Sequence, residues 1–294
     1  MIKPQKVLHY HIEEAKKNPK IQGEYIVSEK LDGWFTTISY NTKVGWLDVK
    51  SSNGRTIPSM KHAKQFFERL PVPDRNITLI AEAYIPEMDF YTMNGIFNRS
   101  KGECQATDVE FYIHDLVYNS ELSNDIVVDK RPALERMESI SWLALDNNTK
   151  IRGIKPYTVT KDREIWFDYF DRVTYKGGEG VILKQADGLY QPEKRNSSLM
   201  KMKLEDTYDL LCIDMYLTYG EKGNENLNIL LKDKAGTEQA VRVGKHEDVY
   251  NFMNVESPVG KVVEIKVMKK NEDGSYREPR FVTVRRYKSV SEID

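Results

Sequence analysis

The sequence predicts an α+β chain in two parts, and three observations carry that reading. Residues 1–204 mix strand signals with helical ones. Residues 205–294 give little but strands. A composition of 40% hydrophobic and 30% charged residues over 294 positions can bury a core and cover it with charge. The formal net charge of −1 points to no partner, because a basic groove can be balanced by acidic surface elsewhere. Cys104 and Cys212 lie far apart, which suits a reducing compartment and no disulfide framework. Met1 to Tyr10 has no signal-peptide apolar run, and no stretch reaches the length of a membrane span. The expectation is a cytoplasmic chain with no membrane partner.

Gly23 to Ser28 and Trp34 to Tyr40 read as short strands. Between them stands Glu29-Lys30-Leu31-Asp32-Gly33. A lysine at a strand end, before a glycine turn, puts an amine at the edge of a cleft. Asn53-Gly54 is a hairpin-type turn signal. Lys61 to Leu70 reads as a helix with Ala63, Phe66, Phe67 and Leu70 on one face. Thr78 to Ile85 and Glu110 to Tyr118 read as strands, Pro132 to Ile140 and Asp162 to Tyr175 as helices, and Gly180 to Gln185 as a short buried strand. After Glu205 the pattern changes. Asp233 to Gly236 and Asn271 to Gly274 mark hairpins, with one short helix at His246 to Met253. In Lys261 to Lys269, Val263, Ile265 and Val267 alternate with Glu264, Lys266 and Met268, the period of a half-buried strand. Roughly 90 residues of short strands suit a small barrel of the OB-fold kind. The boundary is placed near Leu204, and the lack of a Gly/Pro-rich linker predicts a tight hinge rather than a tether.

Lys30-Leu31-Asp32-Gly33 is the first candidate site. A lysine amine is protonated at neutral pH and becomes a nucleophile only when cations or desolvation lower its pKa. Four residues alone are also compatible with a surface turn. Their company in order says more. Glu82 is a carboxylate within the apolar strand Ala81-Glu82-Ala83-Tyr84. Phe111-Tyr112-Ile113-His114-Asp115 puts an aromatic before an acid, and Glu179-Gly180-Val181-Ile182-Leu183-Lys184 follows Gly177-Gly178. Lys201-Met202-Lys203 puts two amines on one strand face. Taken singly, Phe111 could be ordinary core and the lysines a solvated face.

In this order the motifs resemble those of the covalent nucleotidyl transferases: ATP-dependent DNA ligases, RNA ligases and mRNA capping enzymes. The resemblance runs from about Lys30 to Lys288 and is strongest to the small DNA ligases of phages and large viruses. Pro279-Arg280-Phe281 followed by Arg285 and Lys288 is similar to their C-terminal motif, R-x-P-R-F then R-x-D-K. The resemblance implies a nucleotidyltransferase (ATP-grasp-like ligase) domain of antiparallel sheets and helices over 1–204, then an OB-fold barrel over 205–294. It implies ATP and Mg²⁺ as cofactors, nicked duplex DNA as partner, and a monomer, in the host cytoplasm for a phage-encoded chain.

Residue roles follow from it. Lys30 would attack the α-phosphate of ATP and carry AMP, with Lys201 and Lys203 gripping that phosphate and stabilising developing charge. Their charge would also help keep Lys30 partly neutral. Glu82 would hold the ribose or a metal-bound water, Phe111 would stack on adenine, and Glu179 would bind the divalent cation. Glu29 and Lys184 would complete the nucleotide site. Arg285 and Lys288 would orient pyrophosphate, on a domain that closes over ATP and then swings away. Asp32, Arg55, Arg277 and Arg280 would meet nucleic acid. Residues 261–290 hold nine Lys/Arg against four Asp/Glu, an excess suited to phosphate contacts.

The pattern departs in three places. Phe35 stands where many DNA ligases have Arg two residues after the motif glycine, Ser52 where a second Arg follows, and Tyr287 where Asp is common. Arg55, Lys50 or Arg99 could substitute for the missing arginines. Neither a latch-sized insertion in the barrel nor an N-terminal DNA-binding domain is evident. Three other readings stay open: an RNA-joining ligase, a GTP-using capping enzyme, and a non-catalytic OB-type nucleic-acid-binding protein.

Overall fold

A computed structural model describes residues 3–17, 19–70, 74–99, 106–118, 129–140, 150–220, 223–244, 257–285 and 288–294. The helix expected at His246–Met253, Cys104 and Tyr287 lie outside these residues. The chain divides into two compact units, Met1–Met202 and Lys203–Asp294.

The first unit opens with β1 (Lys6–His9) and α1 (Tyr10–Glu14), then β2 (Tyr25–Glu29), β3 (Trp34–Asn41), β4 (Gly45–Trp46), β5 (Lys50–Ser51) and α2 (Lys64–Phe67). It continues through β6 (Ile77–Tyr84), α3 (Phe90–Phe97), β7 (Glu110–Tyr118), α4 (Ala133–Glu138), β8 (Ile151–Gly153) and β9 (Thr158–Thr160). It closes with α5 (Arg163–Tyr175), β10 (Gly180–Gln185) and β11 (Arg195–Lys203), which ends on the first residue of the second unit. One sheet runs β1-β11-β10-β2-β9, and the other runs β4-β3-β6-β7-β8 with β5 added to β3. The expectation of antiparallel sheets is corrected: both are mixed, because β1 pairs β11 in parallel and β7 pairs β8 in parallel. Parallel neighbours need a long crossover, and the connection 119–150, which carries α4, supplies it for β7 and β8.

Each sheet buries one apolar face. Ile38, Leu79, Ile113 and Phe111 of the larger sheet pack with Met60 and Phe67. Tyr25, Val27, Val181, Leu183 and Met200 of the other pack with Trp166 and Val173 of α5. Asp162 caps α5 by accepting from the Glu164 amide, where the sequence predicts its start. The helix expected over Lys61–Leu70 is instead a 3₁₀ turn, Pro58–Ala63, running into the short α2. Proline at the first position sets φ for that tight turn. Ala63, Phe67 and Leu70 are nevertheless the buried residues.

The second unit contains β12 (Asp206–Tyr219), β13 (Glu225–Lys232), β14 (Glu238–Gly244), β15 (Val262–Val267), β16 (Lys269–Lys270), β17 (Tyr276–Arg277) and β18 (Arg280–Arg285). Five strands form an antiparallel sheet in the order β14-β13-β12-β15-β18, beside a β16/β17 ribbon. Val263, Ile265 and Val267 are wholly buried, as the alternation requires. The two turns close with Gly236 N–H on the Asp233 carbonyl at 3.1 Å and Gly274 N–H on the Asn271 carbonyl at 3.0 Å. Cys212 lies in this core, where burial pushes its thiol up to about 11. Among the described residues no helix is long and apolar enough to cross a membrane.

Candidate active site

The end of β2 positions Lys30. β2 pairs antiparallel with β10, with Glu29 opposite Val181, and the Lys30 amide continues the ladder by donating to the Gly180 carbonyl at 2.8 Å. The side chain forms an ion pair with Glu179, whose carboxylate is almost fully buried. Two glycines allow this approach. A Cβ at Gly33 would sit 2.6 Å from the Ala83 carbonyl oxygen and 2.7 Å from Glu82 Cγ. One at Gly178 would meet Val173 Cγ1 at 2.5 Å and Glu29 Oε1 at 3.4 Å. The Asp-Gly and Gly-Gly pairs thus act through close approach of the backbone, and only hydrogen fits there.

A cavity of about 280 Å³ opens over Lys30. Glu29, Lys30, Glu82, Lys184 and Lys201, all expected at a nucleotide site, line it. Lys201 reaches it from β11, where Met200 and Met202 alternate into the core. Burial pushes the Glu82 carboxyl up to about 8; Lys30 opposes the rise, and Glu179 and Asp32 add to it. The folded chain therefore retains a proton that the unfolded chain releases from pH 4.5 upward, and stability falls as pH rises from there to about 8. Glu82→Gln removes that loss. Its Tm is expected to match the parent near about pH 5 and to exceed it by roughly 4 °C or more at about pH 8.5. Parallel pH profiles in thermal melts would refute this.

Phe111 requires a correction. It is wholly buried and packs its ring against Phe67, with centroids 5.2 Å apart, so it cannot stack on a ligand. Period two puts Phe111 and Ile113 on the core face of β7. The same alternation puts His114 on the opposite, cavity face, where β7 bulges: Ala81 pairs Ile113 and Ile80 pairs Asp115, leaving His114 between them. Its ring stands 6.2 Å from that of Phe35, which also lines the cavity and packs on Ile80, Val117 and Tyr190. Burial, with the Lys184 charge beside it, lowers His114 to about 3, so the imidazole is neutral at physiological pH. The alternation Phe-Tyr-Ile-His-Asp already separates the two faces; the bulge is not visible in it.

Behind His114 lies a buried charge network. Arg136 of α4 donates to both oxygens of Asp115, at 2.8 and 3.1 Å. Lys184 donates to Asp115 at 2.9 Å and to the His114 carbonyl at 2.6 Å. Burial alone would raise the Asp115 carboxyl, but Lys184 and Arg136 hold it well below the carboxylate range. Burial lowers the Lys184 amine. Sequence reasoning missed Arg136, 21 residues from Asp115, because no local periodicity marks the contact.

A family model described as "ATP dependent DNA ligase domain" matches residues 7–203. The chain belongs to that family. One curated relative, "DNA ligase 1" of Korarchaeum cryptofilum (strain OPF8), is 26% identical over 114 residues, which is 39% of this chain and 20% of that protein. The aligned stretch thus spans about a fifth of that relative's length. A solved structure described as "DNA binding with a minimal scaffold: Structure-function analysis of Lig E DNA ligases" superposes with a TM-score of 0.71 at 20% identity, over 97% of this chain and 100% of that one. Another, "Pmar-Lig_PreS3", has a TM-score of 0.73 at 19% identity, over 97% and 68% of the two chains. At such identities the likeness is one of fold.

The remaining expected residues of this ligase-family chain are dispersed. Asp32 lies in the turn after Lys30, close enough to act on Glu82. Arg55 is exposed in the loop after Asn53-Gly54, and Ser52 of that loop lines the cavity. In the second unit Lys203 pairs with Glu278 at 3.0 Å, and Arg280 pairs with Glu205. Arg277, expected to meet nucleic acid, is buried rather than displayed. Arg285 and Lys288 are both held by Asp209.

Proposed function

We propose that the chain is an ATP-dependent DNA ligase that seals 5′-phosphate/3′-hydroxyl nicks in duplex DNA. The observation that supports this best is Lys30: a backbone-anchored amine at the mouth of a cavity, paired with Glu179 and accompanied there by Lys184 and Lys201. In this reading the Lys30 amine loses a proton and attacks the α-phosphate of ATP, with pyrophosphate leaving. Glu179, already in hydrogen-bond contact, is the acceptor within reach. Lys201, lining the same cavity, offsets the phosphate charge that develops. The neutral His114 ring, with Phe35 beside it, takes the base-facing role expected of Phe111. AMP then passes from Lys30 to the 5′-phosphate of the nick, and the 3′-hydroxyl displaces AMP to join the strand.

Mg²⁺ fits the donor set. Glu82, Glu179 and Asp32 are hard oxygen donors, and the latter two are close enough to raise the proton affinity of Glu82, a repulsion that a divalent cation offsets. When bound, the ion neutralises phosphate charge and supplies Lewis-acid polarisation. In the second unit, the five-strand antiparallel order and the approach of β14 to β18 support an OB-fold barrel. The chain is read as a monomer.

Phe35 favours a second reading. Its ring packs on Ile80, Val117 and Tyr190, so this position presents no cation to a nick phosphate, as is common among RNA-joining ligases. Side-by-side sealing of nicked duplex DNA and nicked duplex RNA decides between the two. Faster joining of DNA, weakening steeply with added salt, is expected; a clear preference for RNA overturns the DNA reading.

A further inference from the structure

The C-terminal cations of the second unit converge on one carboxylate. Asp209 of β12 is buried and accepts from Arg285 Nε at 3.2 Å and Lys288 Nζ at 2.6 Å. Arg285 directs its Nη2 to Glu264 of β15 at 3.1 Å. The β12/β15 register places Asp209 directly opposite Glu264. Like charges so placed destabilise a strand pair, and here the Arg285 fork compensates both. Asp209 itself is fixed by backbone. Its N–H donates to the Asp294 carboxylate at 2.6 Å, and its carbonyl accepts the Asp294 N–H at 3.0 Å. The turn between is secured by a capping box of Ser289 and Glu292. Arg285 and Lys288 are long, rotamer-rich side chains, costly to order. Asp209 holds both before any ligand arrives. The motif's own segment has Tyr287 where the resembling motif has Asp, so it lacks a carboxylate of its own.

We propose that Asp209 is a positioning residue: from β12 it supplies the carboxylate missing from the C-terminal motif, and it sets Arg285 and Lys288 at a spacing that receives pyrophosphate. This rests on the reading that those two cations meet pyrophosphate.

The test is the reverse of the first step, on the full chain carrying AMP on Lys30. With pyrophosphate and Mg²⁺ added, a pyrophosphate oxygen bonds to the adenylyl phosphorus, the phosphorus–nitrogen bond to Lys30 breaks, and ATP leaves with the lysine amine restored. Asp209→Asn is expected to raise the KM for pyrophosphate about 10-fold, with a much smaller change in kcat. Arg285→Ala is expected to raise it similarly, and the double variant little further, because both act through one contact. A normal KM in Asp209→Asn beside a raised KM in Arg285→Ala overturns the proposal, as does full additivity. A normal KM in Arg285→Ala instead overturns the reading beneath it. Asp209→Glu keeps the charge but moves it by a methylene; it carries the test should the Asn variant not fold. A KM raised about threefold is expected there, and an unchanged one overturns the positioning role.

Discussion

Lys30→Ala is expected to eliminate the acid-labile adduct that the proposed reaction forms on the parent chain with α-labelled ATP and Mg²⁺, a loss of about 10⁴-fold or more in adduct formation. In the proposed reaction the Lys30 amine nitrogen bonds to phosphorus, and neither of the other lysines lining the cavity is placed to substitute for it. Lys184 is occupied by Asp115 and the His114 carbonyl, and Lys201 approaches from β11 on another strand. Lys30→Arg separates chemistry from structure. It keeps a cation for the buried Glu179, so its melting temperature should stay near the parent's, yet a guanidinium does not form the adduct. An adduct of parental yield in either variant would mean that a different residue carries the nucleotide.

Arg136→Ala is expected to cost about 3–5 kcal/mol of stability, the range for removing one partner of a buried ion pair. Asp115 keeps Lys184 but loses both guanidinium bonds, and the carbonyls of Arg131 and Gly188 lose their Arg136 donor. For a unit of this size that is a drop in Tm of roughly 10 °C. Adduct formation should fall as well, because Asp115 and Lys184 brace the strand segment that presents His114 to the cavity. Arg136→Lys restores charge but not the two-pronged geometry and is expected to recover less than half of the loss. A melting temperature within a degree of the parent's in Arg136→Ala would show that the network contributes nothing to the fold.

Much of the site was legible because its parts are local. Lys30 before Asp32-Gly33, Glu82 inside an apolar strand, and Glu179 after two glycines are each read from a few consecutive residues. Strand period predicts their faces, as it does for Lys201 between Met200 and Met202. β7 and β10 match their expected bounds residue for residue. Where the reading failed, an overlooked local turn or a non-local pairing decided. Lys61–Leu70 has a helical face, but Pro58 starts a 3₁₀ turn that leaves only four α-helical residues. Mixed sheets arise because β1 finds β11 across nearly the whole first unit and β8 returns beside β7, pairings without local signature.

The amino-acid sequence by itself determined the family pattern: a candidate lysine nucleophile, carboxylates and further lysines in family order, in a chain that turns from mixed α and β to nearly all strand. Only the tertiary structure decided which ring faces the cavity. Phe111 and His114 are three residues apart on one strand and so face opposite ways, and packing of the sheet on Phe67 and Met60 makes the Phe111 face the core and leaves the His114 face to the cavity. It also decided that Arg136 secures Asp115 and that Asp209 gathers Arg285 with Lys288. Those contacts join groups far apart along the chain; only the register of the packed strands and helices brings them together.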